Sequence, residues 1–305
     1  MTNTTETYWE VDGSSLQTYA YNIVTLGGDR EAPPRTRGSD ITVPFKPGSN
    51  YVRKIVESRV VTLGMWVVGA NPDGTIPTNE NLRRTYDRNW RQLRRLLWQP
   101  RRQFTLTKRF WVETADLTAA GVNTAPLPKE GLWSLITVVA RASFAGGLNP
   151  QMSGPARSSF TVDLLLSDPY FYGDEIRIPF STAPADALNP GPTRTVSILG
   201  DAETTYVEMD FTGPITSPRF TNLSADGNLY AQYGTAVADG ETATVRAHNF
   251  SATHYPAGAS YKTSGFVSHD GDKFWMYLEP GSTNLSLTRQ SGTGTAAIRY
   301  RPVWL

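Results

Sequence analysis

The chain has 305 residues, no cysteine and a formal net charge of +1, which excludes disulfides, thiolate zinc sites, iron–sulfur clusters and cysteine nucleophiles. The length predicts about two domains, with enough chain to bury a core without a metal or disulfide staple. No apolar run approaches the ~20 residues of a membrane helix, so membrane insertion is not expected. The opening Met1-Thr2-Asn3-Thr4-Thr5-Glu6 has neither the basic nor the apolar region of a secretory signal.

In chain order, residues 27–39 read as a long loop rich in Gly, Pro and charge, followed by strands at 41–45 and 56–68. Next comes an amphipathic helix. Leu82, Tyr86, Trp90, Leu93 and Leu97 recur at three- and four-residue steps, which places them on one helical face. Thr78 or Asn79 is positioned to cap its start, and Pro100 ends it because proline lacks the N–H and clashes with the preceding turn. Its other face carries Arg83, Arg84, Arg88, Arg91, Arg94 and Arg95. Strands follow at 104–112, 132–144 and 158–166, with a second long loop expected at 146–157. A domain boundary is expected after 167–173, with an Ala/Pro/Gly-rich linker at 181–193. Further strands are expected at 195–198, 206–211, 219–222, 242–246, 273–278 and 296–300. Twenty-six glycines and 21 prolines punctuate these runs, which is the pattern of a mainly β chain built from sandwiches or barrels.

Charge divides along the chain. Residues 1–110 hold 17 Lys and Arg against 10 Asp and Glu, a net +7, and residues 111–305 hold 12 against 18, a net −6. The asymmetry is consistent with two units of different surface, one of which meets an acidic neighbour, or with a basic solvated face confined to one half.

Catalytic chemistry finds little footing. The three histidines, His248, His254 and His269, lack the i,i+4 helical spacing of metalloprotease pairs. A metal shared by His248, His254 and Asp270 or Asp272 competes with a reading of loop and surface histidines. Asp270-Gly271-Asp272 runs straight into an expected strand, so it reads as a hairpin turn and not as a calcium loop. Gly292-Thr293-Gly294-Thr295-Ala296-Ala297 opens no helix within a βαβ unit. The arginine helix with Arg101-Arg102 raises nucleic-acid binding, but the near-neutral chain carries no nucleic-acid-binding motif. Among the 8 Trp and 14 Tyr, Tyr230, Tyr233, Tyr255 and Trp275 are candidates for a saccharide-binding face, set against ordinary core packing. No cofactor, metal or catalytic residue is expected, and the chain is read as not an enzyme.

Two segments at opposite ends carry a resemblance. The first is Trp9-Glu10-Val11-Asp12-Gly13-Ser14-Ser15-Leu16, followed by Leu26-Gly27-Gly28, Pro33-Pro34, Arg37-Gly38-Ser39-Asp40, Val43-Pro44 and Met65-Trp66-Val67-Val68-Gly69. The second is Phe274-Trp275-Met276-Tyr277-Leu278-Glu279-Pro280-Gly281 with Asn284, then Arg299-Tyr300-Arg301-Pro302-Val303-Trp304-Leu305. Together they resemble the distal tail proteins of long, flexible-tailed bacteriophages, the siphoviruses, called minor tail proteins in phages of actinobacteria.

The resemblance implies an amino-terminal ring-forming, tail-tube-like β-barrel or sandwich with one flanking helix over 1–175, completed by 296–305. It implies a galectin-like or carbohydrate-module-like β-sandwich over 176–295. It further implies a virion structural protein at the distal end of the tail, a homohexameric ring that joins the tail tube to the tail tip or baseplate and continues the DNA channel. Expected partners are the tail tube protein, the tail-tip hub, other minor tail proteins and the tape measure protein, with genomic DNA passing through the lumen unbound. The alternative is a host-surface carbohydrate-binding module. Candidate ring-interface residues are Arg30, Arg35, Arg37, Arg84, Arg88, Arg91 and Arg95.

Overall fold

Alternation in the strand Arg59–Val68 builds the first core of the chain. Side chains 59, 61, 63, 65 and 67 are buried and the intervening ones are not, because successive strand side chains point to opposite faces. The computed structural model describes residues 7–23, 29–31, 34–38, 41–42, 49–50, 55–120, 133–183, 191–225, 228–255, 261–262, 267–269 and 276–305. The chain divides into two units: Met1–Trp111 with Leu135–Phe171 and Leu305, and Val112–Ser134 with Tyr172–Trp304. Among the described residues no helix is long and apolar enough to cross a membrane.

In the first unit, Arg59–Val68 pairs antiparallel with Arg157–Leu166, which sets Phe160 opposite Met65, Val162 opposite Leu63 and Leu164 opposite Val61. All six are buried, and each fully buried apolar side chain contributes roughly 1.5–3 kcal/mol. The sheet runs Ser14–Ser15, Thr7–Val11, Phe104–Glu113, Trp133–Gly147, Arg157–Leu166, Arg59–Val68, Tyr21–Ile23. Asp29–Glu31 shares the last edge, pairing with residues 61–63. Asp12 and Gly13, at φ 46° and 76°, form the two-residue turn between Thr7–Val11 and Ser14–Ser15. Two positive φ angles in succession suit the twist of a tight hairpin, and Asp-Gly tolerates them.

The helix Glu80–Leu97 covers this sheet. Tyr86, Leu93 and Leu97 are buried together with Thr85 and Asn89, while Leu82 and Trp90 are half-buried. Trp90 meets Phe160 edge to face at 5.1 Å, and the Tyr86 hydroxyl lies 2.7 Å from Ser158 Oγ. Gly69 is the close-approach point: a Cβ there would lie 2.5 Å from the Leu82 carbonyl oxygen. The helix ends at Leu97, three residues before Pro100. The expected side-chain cap is absent. Asn79 holds the N-cap position at φ 55° without a side-chain capping bond, and its backbone carbonyl accepts the Leu82 N–H at 3.1 Å.

The two expected loops contain paired backbone. Within 146–157, Gln151–Gly154 pairs with Arg157–Leu166, after a bulge at Phe144/Gly146 and a turn at Gly147, φ 87°. Gly and Pro mark the bulge and the tight turn, not a structureless loop. Within 27–39, Asp29–Glu31 joins the sheet and Thr36–Arg37 pairs with Ile55–Val56. The expected strand at 41–45 is described only at Ile41–Thr42, which pairs with Ser49–Asn50.

The second unit is a sandwich of two antiparallel sheets. One runs Ile176–Ser181, Thr295–Tyr300, Val207–Thr212, Thr242–Arg246, Ser251–Tyr255, Tyr261–Lys262, and the other Thr193–Ile198, Gly281–Thr288, Arg219–Asn222, Tyr230–Tyr233, Val267–His269. Phe220 of the second sheet packs on Phe180 and Phe211 of the first, with ring centroids 4.9 and 5.5 Å away.

The described elements divide the chain differently from the expected 1–175 and 176–295. Of the expected return 296–305, the strand Thr295–Tyr300 lies inside the sandwich sheet, between Ile176–Ser181 and Val207–Thr212, and Leu305 falls in the first unit. The segment Val112–Ser134, assigned to the first domain by its place in the sequence, belongs to the second unit. Its helix Thr114–Ala119 packs against Thr193–Ile198. The strand pair that carries it, Phe104–Glu113 and Trp133–Gly147, is long enough to run past the boundary. Half of the expected strand 273–278 falls on residues outside those described, and of the other half Leu278 forms a bridge to Thr204.

Candidate assembly surface

The helix presents its arginines because burial claims the opposite side. Arg83, Arg84, Arg88, Arg91, Arg94 and Arg95 are all exposed. Arg84, Asp87, Arg88, Arg91, Gln92 and Arg95 form one stripe that lines an open groove of about 610 Å³. Arg84 pairs with Glu80 at 3.2 Å and Arg83 with Asp87 at 3.5 Å, both across one helical turn. Such exposed pairs contribute only ~0.3–0.5 kcal/mol. Arg88 donates to Asn71 Oδ1 at 3.4 Å. The Arg94 guanidinium lies 4.9 Å from the ring centre of Trp98, whose side chain is 49% exposed. Arg91 and Arg95 have no carboxylate partner among the described residues. Arg84 with Arg88, and Arg91 with Arg95, are like charges at i,i+4, which destabilises a helix by a few tenths of a kcal/mol per pair, roughly.

The other candidate ring residues lie elsewhere in the first unit. Arg35 and Arg37 are exposed, with Arg37 3.9 Å from Glu57 and the Arg35 carbonyl accepting the Glu57 N–H at 2.8 Å. Neither shares a hydrogen bond or ion pair with the helix arginines. Arg30 sits in Asp29–Glu31 opposite Thr62, and its side chain lies outside the described residues.

Of the four aromatics read as a candidate saccharide face, Tyr230, Tyr233 and Tyr255 do not share one face. Tyr233 is fully buried. Tyr230 and Tyr233 are three apart on one strand and so point to opposite faces. Tyr255 is exposed but belongs to the other sheet, and Trp275 lies outside the described residues. Tyr230 is covered by Arg219, whose Cζ is 3.6 Å from its ring centre. The register that pairs Arg219 with Gln232 and Thr221 with Tyr230 makes them diagonal neighbours. The four-residue strand Tyr230–Tyr233 is too short to announce this in the sequence.

Two of the three histidines, His254 and His248, pack against neighbours within the second unit. His254, 4% exposed, has Nδ1 3.0 Å from the Tyr233 hydroxyl and Nε2 3.0 Å from Glu241 Oε2. Glu241 also accepts the Ala238 N–H at 3.0 Å. That bond leads the causes that hold its carboxyl below the usual range; burial opposes it, and His254 adds a smaller lowering. His248 stacks on Tyr206 at 4.3 Å and 8°, and burial lowers its pKa. Asp270 and Asp272 lie outside the described residues. Among the described residues no three His, Asp or Glu side chains converge as a metal site.

A charge cluster that the sequence does not signal sits on the outer face of the same sandwich. Arg299 donates to Glu208, Asp210 and Glu175 at 2.6, 2.6 and 3.2 Å, and Arg246 lies 3.4 Å from Glu208. The hydrogen bonds to Asp210 lead the causes that raise the Arg299 pKa. Glu208 faces Arg299 on one neighbouring strand and Arg246 on the other, so strand pairing assembles the cluster.

No family model and no curated protein matches the chain by sequence. Among solved structures, the chain is similar to the Dit protein of phage SPP1, described as a paradigm of the hub adsorption apparatus in phages that infect Gram-positive bacteria. Identity is 14%, 98% of this chain and 99% of that chain are covered, and the TM-score is 0.57. The phage p2 baseplate in its activated conformation, with strontium and with calcium, aligns over 97% of this chain at 9% identity. Its TM-score of 0.36 is too low to bear on the fold. The mainly β, two-unit chain therefore has the fold of the SPP1 Dit protein along nearly its whole length, the distal-tail-protein fold that the sequence resemblance implies.

Proposed function

We propose that the chain is a structural protein of a phage virion, the distal tail hub of a siphovirus. Six copies form a ring that joins the tail tube to the tail tip and continues the DNA channel, with no catalytic step. One observation carries this reading: the likeness to the SPP1 hub protein spans both units, 98% of this chain and 99% of that one. A likeness confined to one β-sandwich would fit many unrelated functions. The role is mechanical. A closed ring needs two different patches of each subunit to meet on its neighbours, and exposed arginines suit such a contact because their planar forks pair with carboxylates and stack on aromatics. The tail tube protein, the tail-tip proteins and the tape measure protein are the neighbours in this arrangement.

The test is the mass and shape of the purified protein, by light scattering and negative-stain microscopy, with immunogold labelling of intact virions. A six-fold ring with an open centre and label at the distal tail end is expected. Label on the capsid, or virions that lack the protein, would overturn the reading.

A further inference from the structure

The helix Glu80–Leu97 holds six arginines against Glu80 and Asp87, a net +4 in 18 residues. Arg83 and Arg84 are matched by carboxylates in ion pairs. Arg91 and Arg95 are like charges one turn apart, with no carboxylate partner among the described residues. That repulsion costs helix stability. An acidic counter-surface outside the chain would relieve it and convert it into affinity and orientation. A second copy of the chain is a poor source of one. Its first unit repeats the positive excess, 19 Lys and Arg against 12 Asp and Glu, a net +7. The carboxylates gathered on its second unit are engaged: Glu175, Glu208 and Asp210 by Arg299 and Arg246, and Glu241 by His254.

The lining of the groove and its surroundings favour a protein over a nucleic acid. Arg84, Arg88, Arg91 and Arg95 follow at four-, three- and four-residue steps, a row of about 16 Å, and Asp87 and Gln92 line the groove beside them. A nucleic acid backbone offers phosphates, which Asp87 repels. A protein segment that sets several carboxylates beside a donor matches the whole lining. Apolar surface flanks the stripe at both ends. Trp98 lies against Arg94 at the carboxy-terminal end. Towards the other end, Arg88 reaches Asn71, in the turn that carries Ile76, 66% exposed. Gly74 of that turn packs against the ring of Tyr19, 60% exposed. Aromatic and arginine side chains are enriched at protein contacts relative to the rest of a surface, whereas phosphate contacts rest on charge and polar donors.

We propose that the arginine stripe of the helix seats an acidic segment of a different protein, one that places carboxylates along a row of about 16 Å and apolar side chains beyond its ends. This deepens the hub reading above by naming the face on which the chain meets a non-identical neighbour in the virion. The charge of the stripe sets the sign of the partner and steers the encounter, and the apolar side chains at its two ends fix where the segment lies.

The test titrates the full chain into a fluorescein-labelled peptide that sets four glutamates at the spacing of the four arginines, among alanine and leucine, and follows anisotropy. The controls are a peptide of the same composition in scrambled order and a DNA duplex of the same net charge. Saturable binding at low salt that weakens as salt screens the contact is expected. The full chain with Arg88→Glu, Arg91→Glu and Arg95→Glu together should bind roughly tenfold or more weakly, because each lost charge pair at a contact costs affinity. These side chains are exposed, so its melting curve should be unchanged. Equal binding by the triple variant, equal binding of the scrambled peptide, or tighter binding of the duplex overturns the proposal. A second measurement locates the contact. Arg91 is replaced by the photo-crosslinker p-benzoylphenylalanine in intact virions, which are irradiated and digested for mass spectrometry. Links to an acidic segment of another tail protein are expected. Links confined to copies of this chain or to DNA, or no links, overturn the proposal and leave the hub reading standing. Virions that lack the chain overturn the hub reading, and the peptide titration then decides the stripe by itself.

Discussion

The Tyr233 hydroxyl and His254 Nδ1 lie 3.0 Å apart, one residue on each sheet of the second unit. His254 Nε2 then reaches the Glu241 carboxylate at 3.0 Å. One neutral tautomer satisfies all three groups: tyrosine donates to Nδ1, and Nε2–H donates to the carboxylate. The contact is a polar clasp between the two sheets of the sandwich.

Replacing Tyr233 with Phe removes the hydroxyl that bonds the buried His254 ring at 3.0 Å. A hydrogen bond of this kind contributes about 0.5–1.5 kcal/mol. The urea midpoint of the second unit should fall accordingly, with the denaturant slope unchanged. An unchanged midpoint would show that the clasp adds nothing to stability.

Asn89 should matter for the first unit. It is 2% exposed, and its Nδ2 donates to the carbonyls of Val68 and Ala70 at 2.9 and 2.7 Å, which ties the helix to the end of Arg59–Val68. Asn89→Asp keeps the shape, cannot donate from that position and turns a carboxylate toward two carbonyl oxygens. A loss of roughly 1–3 kcal/mol is expected from the stranded carbonyls. Hydrogen exchange should quicken in both Glu80–Leu97 and Arg59–Val68. Faster exchange in the helix alone would mean that the amide does not couple the two elements.

The second unit should lose stability at both ends of the pH range. His248 is held below its ordinary value of 6.5, chiefly by burial, so the fold prefers the neutral ring. Its contribution is present above 6.5 and is lost as pH falls through that value toward the depressed one. Tyr300 is pushed from 10.0 up to about 12 by burial, which outweighs the Leu199 N–H that its oxygen accepts. Its contribution is present below 10 and is lost as pH rises toward about 12. Melting temperature against pH should therefore decline below 6.5 and above 10. His248→Phe, which keeps a ring stacked on Tyr206, should flatten the acid limb, and Tyr300→Phe the alkaline limb. A variant with its limb unaltered removes that residue as the cause.

The helix was legible because its signal is local. Leu82, Tyr86, Leu93 and Leu97 recur at the helical period, and Pro100 permits only one way to continue. The buried polar members, Thr85 and Asn89, were not legible: Asn89 bonds the backbone carbonyls of Val68 and Ala70, which no periodicity announces. The strands at 56–68 and 158–166 were readable from composition. Their pairing, which sets Phe160 on Met65 and under Trp90, depends on register between segments about a hundred residues apart.

The sequence by itself determined the class of this chain: mainly β, one arginine-faced helix, two regions of opposite charge, no cysteine chemistry, and the end motifs of a distal tail protein. These follow from short-range periods, turn residues and composition. Only the tertiary structure decided that Thr295–Tyr300 lies within the second unit's sheet, that Val112–Ser134 joins that unit, and that Tyr233 turns inward to His254 while Tyr230 lies under Arg219. Each of these depends on which distant strands are neighbours and on which face of a strand is buried. Strand alternation makes every side chain choose a face, and only long-range pairing says which face is the core.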